Sequence, residues 1–125
     1  MDSILTSIKK LLGMTEDYEA FDTDIIMYIN SAFSTLNQLG VGPKEGFVIE
    51  DETAVWSDFL GDKINLETVK TYIYLKVRIM FDPPTSSAVL DATERMIKEH
   101  EFRLMVAADP VPTQESEEDN YEWFY

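Results

Sequence analysis

The sequence predicts an all-α fold, a small bundle of four to five helices with a long C-terminal helix. Three observations predict it. Apolar residues recur at three- and four-residue spacing over four separate stretches. Capping residues, glycines and prolines punctuate those stretches at their ends. The one run of β-forming residues, Phe47-Val48-Ile49, is too short to make a sheet alone.

Length and composition narrow the class. At 125 residues with 45% hydrophobic residues, the chain suits one domain with a real core. Cysteine is absent, which excludes disulfides and thiolate–metal sites. The opening MDSILTSIKKLLG is too short and too polar for a signal peptide or a membrane span, so a soluble protein made in a cytoplasm is expected. The formal net charge of −14 repels nucleic acid and anionic membranes at long range and argues against conventional DNA binding. Such a charge suits a solvated acidic surface, or a surface that stays near DNA without gripping it.

The elements follow in order. Residues 3–12 form a first helix with Ile4, Ile8, Leu11 and Leu12 on one face. Asp2 or Ser3 caps it, Gly13 suits the left-handed position beyond its end, and Lys9 and Lys10 sit where the helix dipole favours positive charge. The acidic connection MTEDYEAFD leads to a second helix from Asp22 or Thr23 to Leu39, striped by Ile25, Ile29, Phe33, Leu36 and Leu39 and ended by Gly40. Residues 44–53 are a loop carrying a candidate short strand near 47–50, which either pairs with a neighbouring subunit or simply extends over the core. Residues 53–60 read as a short helical turn with Trp56, Phe59 and Leu60 filling space beneath the loop.

The helix over 66–81 is apolar almost all round, with Asn65 as its cap. Val69, Ile73, Val77 and Met80 make one stripe; Tyr72, Leu75 and Ile79 make another. A helix with two apolar faces is central, or divides its faces between the core and a partner subunit. Asp82-Pro83-Pro84 stops it and makes a stiff elbow, because each proline fixes its own backbone angle and Pro83 also disfavours the helical conformation at Asp82. Ser86 or Ser87 then caps the long helix to residue 108, which carries Val89, Ala92, Met96, Ile97, His100, Leu104 and Ala107 on one side and a Glu94–Lys98 pair at helical spacing. This helix exceeds what a compact domain needs, leaving one end free to project. Residues 1–108 thus make the helical domain.

From residue 109 the composition changes. DPVPTQESEEDNYEWFY holds six acids and no Lys or Arg, which leaves 18 acids against 10 bases in the rest of the chain. A flexible acidic tail over 109–125 is expected. Its end, Tyr121, Trp123, Phe124 and Tyr125, is more than a solvating segment requires and suits anchoring on the domain or on a partner.

Catalytic and metal signatures are missing. His100 stands alone, without the nucleophile elbow a triad would need, and reads as a half-buried packing residue. The acids Glu16, Asp17, Glu19, Asp22 and Asp24 lack the calcium-loop pattern and read as loop and cap chemistry. Gly40-Val41-Gly42 follows a helix and lacks the P-loop lysine. Lys70, Lys76 and Arg78 form a polar sliver suited to pairing with acids. No catalytic residue, metal site or cofactor is predicted.

Three stretches carry a resemblance: DSILTSIKKLLG with the acidic loop after it, FDTDIIMYINSAFSTLNQLGVGP, and YLKVRIMFDPPTSSAVLDATERMIKEHEFRLMVAAD. Together they resemble the head–tail connector (neck adaptor, head completion) proteins of tailed bacteriophages over most of residues 1–109. The resemblance implies a structural, non-enzymatic virion protein at the head–tail interface, made in the host bacterial cytoplasm. Its partners would be further copies of itself in a ring of about twelve, the portal protein, and the next neck or tail-completion protein. Genomic DNA would pass the lumen without specific binding, and an acidic bore would let it slide. Tyr72, Leu75 and Ile79, the Asp82-Pro83-Pro84 elbow, and Tyr121, Trp123, Phe124 and Tyr125 are then the candidate interface residues, the tail docking on portal or a neighbouring subunit. The alternative is an acidic DNA mimic or inhibitor acting on a DNA-binding protein, which rests on charge alone.

Overall fold

A computed structural model describes residues 3–61 and 66–108. Among them are five helices: α1 (Ile4–Leu11), α2 (Asp22–Gln38), α3 (Trp56–Leu60), α4 (Leu66–Phe81) and α5 (Ser87–Ala108). Helices are the only regular elements among the described residues. The Asn65 cap and the tail residues Tyr121, Trp123, Phe124 and Tyr125 lie outside the described residues.

Capping chemistry sets the helix ends. Ser3 Oγ accepts the backbone N–H of Thr6 at 3.2 Å, opening α1. Beyond the end of α1, Gly13 takes φ 91°, a conformation nearly free for glycine. Ser86 Oγ accepts from the N–H of Val89 at 3.3 Å and opens α5. The Val55 N–H donates to Asp58 Oδ2 at 2.9 Å at the start of α3.

The core lies between α1, α2 and α4. Ile4, Ile8, Ile25, Ile29, Ala32, Leu36, Val69, Tyr72, Ile73 and Val77 are wholly buried there. α4 packs against α2, α5 and α1, so it is the central helix. Phe33, Phe47 and Phe59 form a ring cluster with centroids 4.6–5.3 Å apart, which seats α3 and the 41–55 loop on α2. Gly42 lies against this cluster with φ 92°, and a Cβ there would overlap the Phe59 ring.

Of the two readings of residues 47–50, the subunit shows the loop: no strand forms there, and the described residues contain only an isolated antiparallel bridge between Ser3 and Val55. The reason is Asn30. Its Oδ1 accepts the Ile49 N–H at 2.8 Å and its Nδ2 donates to the Ile49 carbonyl at 3.0 Å. One side-chain amide thus satisfies both backbone groups that a neighbouring strand would otherwise take.

Lys9 lies in the last turn of α1, as its sequence position indicates, and is buried there. Its ammonium lies 2.8 Å from Asp22 Oδ1, which has no other polar partner, and donates to the Glu16 carbonyl at 3.0 Å. Asp22, placed in the first turn of α2, therefore ties α1, the acidic connection and α2 together.

The loop contact gives a direct test. Asn30→Ala leaves the Ile49 N–H and carbonyl unpaired and is expected to cost about 2 kcal/mol in urea unfolding. Asn30→Asp keeps the acceptor and loses the donor, so it should fall between. Equal stability of all three proteins would show that Asn30 does not hold the loop.

Candidate functional site

The candidate interface residues within the described part of the chain lie on the α4–α5 hairpin. At the elbow, Arg78 Nε donates to the Asp82 carbonyl at 2.9 Å, and its Nη1 lies 3.3 Å from the Tyr74 hydroxyl. The Arg78–Asp82 charge contact is looser, at 4.0 Å between exposed groups. Arg78 therefore caps the last turn of α4 mainly through a backbone carbonyl. Asp82 and Pro83 are exposed and Pro84 half-buried. Phe81 sits edge-on to Phe21 with centroids 5.2 Å apart, and Phe21 lies 6.0 Å from Tyr18. The acidic connection thus carries two exposed aromatics to the elbow. Their sequence signal is two aromatic residues within an otherwise polar loop.

The second stripe of α4 is largely used inside the subunit. Tyr72 and Leu75 are buried, and Ile79 is half-buried. The Tyr72 hydroxyl donates to Glu101 Oε2 at 2.8 Å and joins α4 to α5. Burial, the bond to Glu101 and the charge of Glu101 push the Tyr72 phenol well above its usual 10.0.

Of the seven residues that share one side of α5, only Ile97 and Leu104 are buried, while Val89 is 52% and Met96 43% exposed. His100 is half-buried, with Nδ1 2.8 Å from the Met96 carbonyl of its own helix. The expected Glu94–Lys98 pair is absent among the described ion pairs; Glu99 and Arg103 make the i,i+4 contact instead, at 2.7 Å. Phe102, Met105 and Val106 are also exposed, so five of the ten large hydrophobics exposed among the described residues lie on this helix. Periodicity identifies residues that share a face; it does not show whether a neighbour covers them.

Two grooves flank α5. One, of about 360 Å³, is lined by Lys76, Ile79, Met80, Glu94, Ile97, Lys98 and Glu101. The other, of about 440 Å³, lies between the 40–43 loop, α3 and the last turn at Ala107 and Ala108. Neither gathers the groups of a nucleophilic site, and no cluster of three or more potential metal ligands occurs among the described residues. No helix among them is long and apolar enough to cross a membrane.

Residues 4–111 match a family model described as phage connector protein. That span contains α1 to α5 and agrees with the three stretches singled out in the sequence. No curated protein and no solved structure matches the chain.

The buried phenol predicts an alkaline signature. The unfolded chain releases the Tyr72 proton near pH 10 and the folded chain holds it, so this contribution is full below pH 10 and is lost as pH rises beyond it. Tyr72→Phe should cost about 1 kcal/mol at pH 7 and fall off less steeply than wild type above pH 10 in urea unfolding. Identical slopes for the two proteins would contradict the assignment.

Proposed function

The chain belongs to the phage connector protein family, and from that premise we propose that it is a structural neck protein whose copies close into a ring between portal and tail. The observation that carries this reading is the family match across all five helices. In the proposed assembly the ring extends the DNA channel, completes the head after packaging and presents the surface on which the tail docks. The partners are further copies of the chain, the portal protein and the next neck or tail-completion protein. The place of work is the virion neck, reached from the host cytoplasm during assembly.

The physical support comes from three features. A ring requires two different faces on each subunit, because its contacts are heterologous and close by rotation. The hairpin offers separate exposed apolar surfaces: the Tyr18–Phe21–Phe81 cluster at the elbow and the outer face of α5. Patches of this kind on a small protein suit association. The prolines stiffen the joint between α4 and α5, and an error in that angle would repeat at every subunit. Residues 1–108 form the assembling domain in this reading, and 109–125 the tail that engages a partner.

Charge has a role here as well. A bore lined with lysine and arginine would hold many phosphates at once, whereas an acidic one repels them and lets the genome move. The net charge of −14 supplies the acids.

Electron microscopy of the purified chain, alone and with portal-bearing heads, tests the reading. The expected result is a closed ring seated on the portal, about twelve copies by family resemblance, with a net negative bore. Heads that acquire no density at the portal would overturn the neck assignment. A bore lined by basic residues would overturn the account of charge.

A further inference from the structure

One stripe of α5 combines features that the bundle does not use. Arg95, Lys98, Phe102, Met105 and Val106 follow at spacings of three and four, so they share one side of the helix. All are exposed, with Phe102 61%, Met105 42% and Val106 53% accessible. Neither Arg95 nor Lys98 enters an ion pair among the described residues. Two cations without a close ion-pair partner, with Asp91, Glu94, Glu99 and Glu101 one helical turn away, thus run into an exposed apolar patch.

The complementary chemistry occurs in the same sequence. Residues 115–125, ESEEDNYEWFY, present acids first and large aromatics last. We propose that the Arg95–Val106 stripe of α5 is the seat for this C-terminal segment of a second copy of the chain. The proposal deepens the ring reading and rests on it.

Direction selects the neighbour over the chain's own tail. Along α5 the cations come first and the apolar residues follow toward the C-terminus. A segment lying parallel to the helix sets Glu117, Glu118 and Asp119 beside Arg95 and Lys98, and Trp123 and Phe124 beside Phe102, Met105 and Val106. The chain's own tail matches the stripe in this direction only if residues 109–116, about 26 Å when extended, run back along the roughly 20 Å from Ala108 to Arg95 and the chain then reverses a second time. A tail arriving from a neighbouring subunit needs neither reversal.

Length agrees as well. Arg95 to Val106 spans about 17 Å at a rise of 1.5 Å per residue. An extended segment from Glu118 to Trp123 spans about 17 Å at 3.3 Å per residue. Aromatic anchors in an apolar seat flanked by charge contacts are the usual energetic pattern of a small protein interface.

The test uses the full chain with a photo-reactive benzophenone amino acid in place of Phe102. Isotopically heavy and light protein are mixed before assembly, irradiated with and without portal-bearing heads, and analysed by mass spectrometry. The proposal expects cross-links from position 102 to residues 115–125, with heavy–light pairs in statistical proportion. Reversing the cations with Arg95→Glu and Lys98→Glu should lower their yield roughly fivefold, the scale of two partly exposed charge contacts. Glu117→Lys with Glu118→Lys should restore it. Cross-links confined to heavy–heavy and light–light pairs mean that the tail seats on its own chain and overturn the proposal. Cross-links to portal alone, or none, also overturn it. Electron microscopy of the same samples separates the two claims: rings without heavy–light cross-links sink this inference alone, and the absence of rings sinks the ring reading.

Discussion

The hydrogen bond from Tyr72 to Glu101 crosses the seam on which the long helix depends. With the buried side chains of Ile97 and Leu104, it is the main attachment of the 22-residue α5 to the bundle. The contrast with the rest of the fold is large. α1, α2 and α4 bury a continuous set of isoleucines, leucines and valines, each contributing about 1.5–3 kcal/mol on burial. α5 contributes two such residues and leaves five large apolar side chains in solvent. A helix this long with so little buried surface is stable mainly as part of something larger. The geometry of the subunit thus divides its described residues into a folded core and an exposed apolar face on α5.

The buried Lys9–Asp22 pair plays a different part. Burying the Lys9 ammonium carries a desolvation cost that the half-buried Asp22 carboxylate at 2.8 Å offsets. The pair's value lies in position. It brings the start of α2 to α1, and the Glu16 carbonyl fixes the intervening loop to the same ammonium. That loop then delivers Phe21 to Phe81 at the elbow. A polar contact deep in the bundle in this way places an aromatic surface at the joint between α4 and α5.

Much of this architecture was legible in the sequence. Helix ends could be read to within a residue or two because Ser3, Gly13, Gly40, Pro83 and Ser86 mark them chemically. The centrality of α4 followed from its two apolar stripes. Other features were hidden, each for a physical reason. Lys9 carries a charge, and charge predicts exposure unless its buried partner is known. Asn30 reads as an ordinary polar helix position, yet it satisfies both backbone groups of Ile49 across the loop. The face of α5 was legible as a periodicity, but burial depends on neighbours, and α4 covers only the narrow line through Ile97 and Leu104. The candidate surface is therefore only partly legible: Asp82-Pro83-Pro84 marks the elbow in the sequence, whereas the burial of Tyr72 and Leu75 and the exposure of Arg95–Val106 depend on what packs beside them. Family membership gives the context in which an uncovered helix is useful, since a connector works in contact with other chains.

The central claim is that α5 is under-packed in the single subunit and completed by assembly. Hydrogen–deuterium exchange on the free chain and on the assembled neck measures this directly. The account predicts that amides of α5, above all in its last three turns, exchange much faster than those of α2 and α4 in the free chain and become protected on assembly. Protection of α5 equal to that of α4 in the free chain, unchanged when the neck forms, would contradict it.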